Sequence, residues 1–120
     1  MSERMRRVNE LLHQVLAEAI EELADPAVGF VTVTGVRASS DLRAAQVFVS
    51  VLGGERRRAR ALAALERAHG VLQTCVGREL RLKRTPQLTF LYDPTVDRAF
   101  RVQELLDQAQ AAPVANESHD

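Results

Sequence analysis

The residues with catalytic or metal-binding potential are few and scattered. Histidines stand at positions 13, 69 and 119 and a single cysteine at 75, and no HxxxH or CxxC spacing links them. Neither a structural nor a catalytic zinc site is expected from that pattern. The chain has no GxxxxGK loop followed by Ser or Thr and no GxGxxG, and Gly53-Gly54 is too short to cradle a nucleotide. Cys75 adjoins Val76 on an apolar stripe, the setting of a buried structural thiol. Asp93 and Asp97 have the types of a carboxylate pair, but strand-end and helix-cap roles account for them. The chain is therefore read as a non-enzyme, with no catalytic residue, no metal and no cofactor.

What remains is phosphate chemistry. The 120 residues carry no net charge, yet residues 55–84 hold nine Lys/Arg against three acids, a local excess of +6 balanced by −6 elsewhere. Separated charge matters more than its sum when the partner is a polyanion. Fifteen of the sixteen basic residues are Arg, the side chain suited to bidentate phosphate contacts. Arg56-Arg57-Arg58 falls at a predicted helix start, where positive charge opposes the helix dipole. Within this segment lies LERAHGVL, residues 65–72, a helical pattern with a glycine in its middle. There a glycine costs roughly 1 kcal/mol relative to alanine.

A break at Gly70 would start a second half-helix, whose free N–H groups and partial positive charge suit a phosphate. A residue without a side chain lets a nucleic-acid backbone come close. Arg67 and His69 flank the break, and Arg78, Arg81, Lys83 and Arg84 follow it. Two readings of Gly70 stand at this point: an RNA-backbone site, or a kink that wraps the helix around a small core. Likewise His69 is either a contact or a satisfied histidine, and the arginines either a binding surface or ordinary solvated faces.

The elements that would position these residues follow from periodicity. Met5, Val8, Leu11, Leu12, Val15, Leu16, Ala19, Ile20 and Leu23 have helical spacing over residues 3–24, with Ser2 as N-cap. Asp25-Pro26 ends that helix. Alternation predicts strands over Phe30–Val36 and Ala45–Leu52, the second with Ala45, Val47, Val49 and Val51 on one face, joined through the turn chemistry of Ser39–Leu42. An interrupted helix is expected over Arg57–Leu82, a strand over Gln87–Asp93 with Leu88, Phe90 and Tyr92 on one face, and a last helix over Thr95–Gln108. Residues 109–120 have no periodic pattern and are expected to be a disordered tail, leaving 1–108 as the domain. The order gives an α+β domain with a small sheet covered by helices on one face.

With 46% hydrophobic residues, no Trp and only five Phe or Tyr, the core must be mostly Leu, Val and Ala. The single cysteine fits a reducing compartment. The N-terminal MSERMRRVNELL has no apolar h-region, and no run approaches the ~18 apolar residues of a membrane span. A cytoplasmic protein with no membrane partner is expected.

Taken together, RMRRVNELLHQVLAEAIEEL, DPAVGFVTVTGV, SSDLRAAQVFVSVLG, ALERAHGVLQTCVGRELRLKRTPQLTFLYD and FRVQELL, in that order over about residues 3–107, resemble the bacterial ribosome-binding factor A family. The resemblance implies a type II KH-like fold, with a three-stranded sheet packed against helices and a kinked helix pair. It also implies that Ala68-His69-Gly70 replaces the GxxG loop with which ordinary KH domains clamp a nucleic-acid backbone, with Gly70 as the kink point. Scarce aromatics argue against base stacking as the main binding term, so phosphates and shape are expected to dominate. The implied activity is non-catalytic. It comprises binding of the free small (30S) ribosomal subunit, late maturation and 5′-end processing of its 16S rRNA, and support of growth in the cold; the chain itself is expected to be a monomer. RNA contacts are expected from Ala68, His69 and Gly70 by the matched motif. By charge they are expected from Arg4, Arg6, Arg7, Arg67, Arg78, Arg81, Lys83 and Arg84. The other class of reading is a small protein-interaction module that uses an amphipathic helix.

Overall fold

The computed structural model describes residues 2–81 and 84–117, with only the backbone described at 96, 97, 100 and 110–117. Helix α1 spans Glu3–Glu21, with the Ser2 hydroxyl accepting from the Met5 N–H. One orphan donor of the first turn is thereby satisfied. Asp25 then caps a short 3-10 helix, Pro26–Phe30, by accepting from the Ala27 N–H at 3.0 Å. Strands β1 (Val31–Ala38) and β2 (Ala44–Val51) form the expected hairpin. Helices α2 (Glu55–Arg67) and α3 (His69–Leu80) follow, then β3 (Gln87–Tyr92) and α4 (Thr95–Glu117). Helix α4 thus continues past Gln108, where periodicity placed its end.

The sheet is mixed, in the order β1-β2-β3, with β1 antiparallel and β3 parallel to β2. A parallel pair needs a crossover, and α2 with α3 supplies it. The β1–β2 turn is held by Asp41, whose carboxylate accepts from the Ser39 hydroxyl at 2.7 Å and the Arg43 N–H at 3.1 Å. Leu42 takes a positive φ of 59° there.

On β2 the alternation holds as expected: Ala45, Val47, Val49 and Val51 are all buried. On β1 it does not run straight through. The register steps from Val33–Val49 to Gly35–Phe48, leaving Thr34 as an extra residue. This bulge flips the parity, so that Val31 and Val33 before it and Val36 and Ala38 after it all pack against the core. The Thr34 hydroxyl donates to Asp93 Oδ2 at 2.7 Å, tying the bulge to the end of β3. Asp93 Oδ1 accepts from the Thr95 N–H at 2.9 Å and so starts α4. The Thr95 side chain, then the Thr34 hydroxyl, hold the Asp93 carboxyl below its ordinary pKa. Thr34→Val is expected to cost about 1 kcal/mol of stability by chemical denaturation, the usual worth of such a hydrogen bond.

The core lies between the helices and one face of the sheet. Leu12 and Leu16 of α1, Leu65 of α2, and Leu72 and Val76 of α3 meet Val47 and Val49 of β2 and Leu88 and Phe90 of β3. As composition requires, Phe90 is the one aromatic residue among the buried core side chains described.

Candidate nucleic-acid interface

Leu65 and Leu72 are seven residues apart, and both are fully buried. The helix direction changes between them, so each half carries its own buried leucine into the core. That change falls at Ala68 (φ −89°, ψ 4°), which is at once the C-cap of α2 and the N-cap of α3. Ala68 donates to Ala64 O and accepts from the Leu72 N–H, each at 3.0 Å, so one residue alone leaves the helical path. The expectation that Gly70 is the kink point is corrected by this geometry. Gly70 is the second residue of α3, in the helix proper, and its backbone needs no left-handed conformation. The Ala68 side chain is partly buried against the core.

Gly70 is exposed. A Cβ built on it would meet no atom within 4 Å, whereas one on Gly77 of the same helix would lie 2.7 Å from Thr85 Oγ1. Gly77 thus allows a close approach within the fold, and Gly70 serves no such contact. No side chain caps the start of α3, where the first N–H groups lack intrahelical partners. Along the same ridge, at helical spacing, lie Thr74 and Arg78. With Gly70 they form one wall of an open groove whose other wall is Ala19 of α1 and Glu22 and Leu23 just past its end.

His69 faces inward. Its Nε2 lies 3.0 Å from Leu88 O and 3.2 Å from Gln87 Nε2, and its ring meets Phe90 edge-on at 6.3 Å. Protonated at Nε2, it donates to the Leu88 carbonyl. Gln73 works beside it, donating to Pro86 O and accepting from the Leu88 N–H. His69 and Gln73 together fasten the start of α3 to the outer edge of β3, so the His69 ring is engaged within the fold.

Arg67 is also engaged. Its guanidinium lies 2.8 Å from Asp25 Oδ2. The Ala27 N–H, then Arg67, hold the Asp25 carboxyl below the usual carboxylate range. A depressed folded-state pKa gives a contribution that is present above the unfolded value, about 3.9. It is lost as pH falls through the folded one. Asp25→Asn keeps an acceptor for the Ala27 N–H and releases Arg67. It is expected to raise affinity for RNA two- to fivefold, about the worth of an exposed ion pair, as read by filter binding.

The remaining candidates lie elsewhere. Arg6 is paired with Glu3 and Glu10, and Arg7 lies 3.5 Å from Glu3, on the first turns of α1 with Arg4. Ala19 at the end of α1, with Glu22 and Leu23 just past it, flanks Gly70, and Val15 and Glu18 of α1 flank Glu79. The two helices are therefore antiparallel, and Arg4, Arg6 and Arg7 lie toward the far end of α3, away from the kink. Arg81 ends α3 in the left-handed conformation, φ 49° and ψ 37°, and is exposed. Such a position favours glycine. Arg81→Gly is thus expected to keep or raise the melting temperature, by up to about 1 kcal/mol of stability, while removing a charge. Arg84 is exposed, and Lys83 lies outside the described residues.

Sequence reasoning missed Asp25, Gln73 and Thr74. It also missed the partners of two helix-start arginines: Arg57 lies over the Phe30 ring, 4.0 Å from its centroid, and Arg58 over Tyr92 at 3.8 Å. The triple-arginine run was legible, but its rings come from other elements. Among the described residues no three His, Cys, Asp or Glu side chains gather as metal ligands, and no helix is long and apolar enough to cross a membrane.

The order α-β-β-α-α-β, the mixed three-stranded sheet and the α2–α3 pair broken at one residue define a type II KH-like domain. Residues 4–106 match the family described as ribosome-binding factor A, to which this chain belongs. It is 44% identical over 116 residues to ribosome-binding factor A of Halorhodospira halophila, covering 95% of this chain and 92% of that one. The crystal structure of ribosome-binding factor A from Thermus thermophilus superposes with a TM-score of 0.67 at 35% identity, over 73% of this chain and 94% of that one. A homology model of the Thermus thermophilus factor, fitted into the cryo-EM map of its 30S complex, superposes with a TM-score of 0.61 at 36% identity, over 72% and 91% of the two chains.

Proposed function

We propose that this protein binds the free small ribosomal subunit and assists late maturation and 5′-end processing of 16S rRNA, holding RNA in place without catalysis. It does so in the cytoplasm as a monomer, through residues 1–108, and supports growth in the cold. Family membership and the 30S complex of the Thermus relative support the binding partner. The observation that carries the RNA-backbone reading is Gly70, an exposed helical glycine with open space where its side chain would be, beside an uncapped helix start. Packing gives no reason for a glycine there, and close approach of a phosphate backbone does. Arg78, one turn beyond Thr74, supplies a cation on the same ridge.

Depletion of the protein from its host tests this. Accumulation of 5′-extended 16S rRNA, with the protein sedimenting with free small subunits and not with intact ribosomes, is the expected result. Normal 16S ends in depleted cells would sink the maturation role. A second reading, a protein-interaction module, is favoured by one observation: Val102, Leu105 and Leu106 form an exposed apolar stripe on α4. In that case α4 substitutions, and not Gly70 substitutions, would abolish association.

A further inference from the structure

We propose that the amino-terminal end of α2 carries a second RNA contact, a guanidinium platform on which an unstacked base rests. The proposal rests on the small-subunit RNA reading and extends it to a different surface. Three observations build the platform. The Arg57 guanidinium lies over the Phe30 ring at 4.0 Å from its centroid. The Arg57 stem runs against Gly53, whose φ is +120° and on which a Cβ would lie 2.5 Å from Arg57 Cδ. The Phe30 main chain is held in turn, its carbonyl accepting from the Leu52 N–H at 3.0 Å. The long side chain is thus held at both ends, by backbone at its stem and by a ring at its head. An arginine so restrained has little rotamer freedom left to lose on binding.

The surroundings favour RNA as the occupant. Arg57 is exposed, as are Phe30 at 39% and Leu52 at 66%, so an apolar rim adjoins the cationic head. Arg56 and Arg60, on the same two turns, are exposed as well. Unstacked RNA bases rest on aromatic rings and on arginine planes, while their phosphates meet neighbouring cations. Positive charge at a helix start works against the helix dipole, so the dipole does not account for a run of arginines here. Arg57 and Arg67 sit at opposite ends of α2, ten residues and about 15 Å apart. The helix therefore spaces the platform from the kink by a few nucleotides of extended backbone.

The test measures affinity of the full chain for free small subunits over a salt series, for wild type, Arg57→Gln, Arg57→Lys and Gly70→Val. A single-stranded oligoribonucleotide and a ribose-phosphate oligomer of equal length without bases serve as further probes. Arg57→Gln is expected to bind small subunits about tenfold more weakly and to flatten the log–log salt slope by about one contact. Arg57→Lys is expected to keep the slope but to lose the preference for the base-bearing oligomer. Melting temperatures near wild type accompany both.

If Arg57→Gln binds as wild type while Gly70→Val binds weakly, the platform is overturned and the kink site stands. If the baseless oligomer binds as well as the other, stacking is overturned. If polyglutamate of matched charge competes as well as RNA, the surface belongs to an acidic polypeptide instead. Failure of wild type to bind small subunits at all would remove the functional reading itself.

Discussion

Gly70→Ala is expected to leave the fold intact or slightly firmer and to weaken binding to the small subunit about tenfold, a change of ~1.4 kcal/mol. The stability half of this result follows from geometry. Gly70 has ordinary helical backbone and open space around its missing Cβ. Alanine there removes conformational freedom from the unfolded chain at no steric cost, for a gain of up to about 1 kcal/mol. The binding half follows from the proposed contact, because a methyl group on that surface holds a phosphate backbone away from the uncapped N–H groups of α3. Gly70→Val should weaken binding further, with a smaller gain in stability because of its branched Cβ. Thermal melts and subunit affinity on the same preparations separate the two effects. A glycine serving as a packing kink would give the opposite pattern, with stability and binding falling together.

Leu65→Ala is expected to destabilise the domain by about 2–5 kcal/mol, the range for truncating a fully buried leucine. Leu65 is wholly buried in the cluster with Leu12, Leu16 and Leu72. It anchors the α2 side of the break as Leu72 anchors the α3 side. A domain of this size has only about 5–15 kcal/mol of stability to lose, so the denaturation midpoint should fall sharply. Binding should fall in proportion to the folded fraction and recover at low temperature or with stabilising osmolyte. The Gly70 variants should show no such recovery, because their defect lies in the contact and not in the fold.

Much of this was legible in the residues themselves. The faces of α1 and β2 follow from local spacing, and Leu12, Leu16, Val47 and Val49 are buried where the pattern places them. The β1 bulge was not legible, since Val-Thr-Val-Thr reads as unbroken alternation until the pairing with β2 places Thr34 outside the ladder. The position of the helix break was misplaced for a physical reason. Propensity marks glycine as the weak point and alanine as the best helix former, yet the break falls at Ala68, and the seven-residue spacing of Leu65 and Leu72 would suit an unbroken helix equally well. The candidate site was legible in charge and not in partners. Arg67 meets Asp25 from 42 residues away, His69 turns inward to β3, and Arg57 finds Phe30 at the end of the 3-10 helix. Such pairings depend on tertiary approach, for which local sequence carries no period.

Binding of the chain to small subunits is proposed to run through RNA phosphates. The most direct measurement is the affinity of the purified protein for free small subunits across a salt series. Log affinity is expected to fall in a straight line with log salt, with a slope corresponding to several released counterions and a shallower slope for Arg78→Gln. Tight binding indifferent to salt, or binding whose slope Arg78→Gln leaves unchanged, would contradict it.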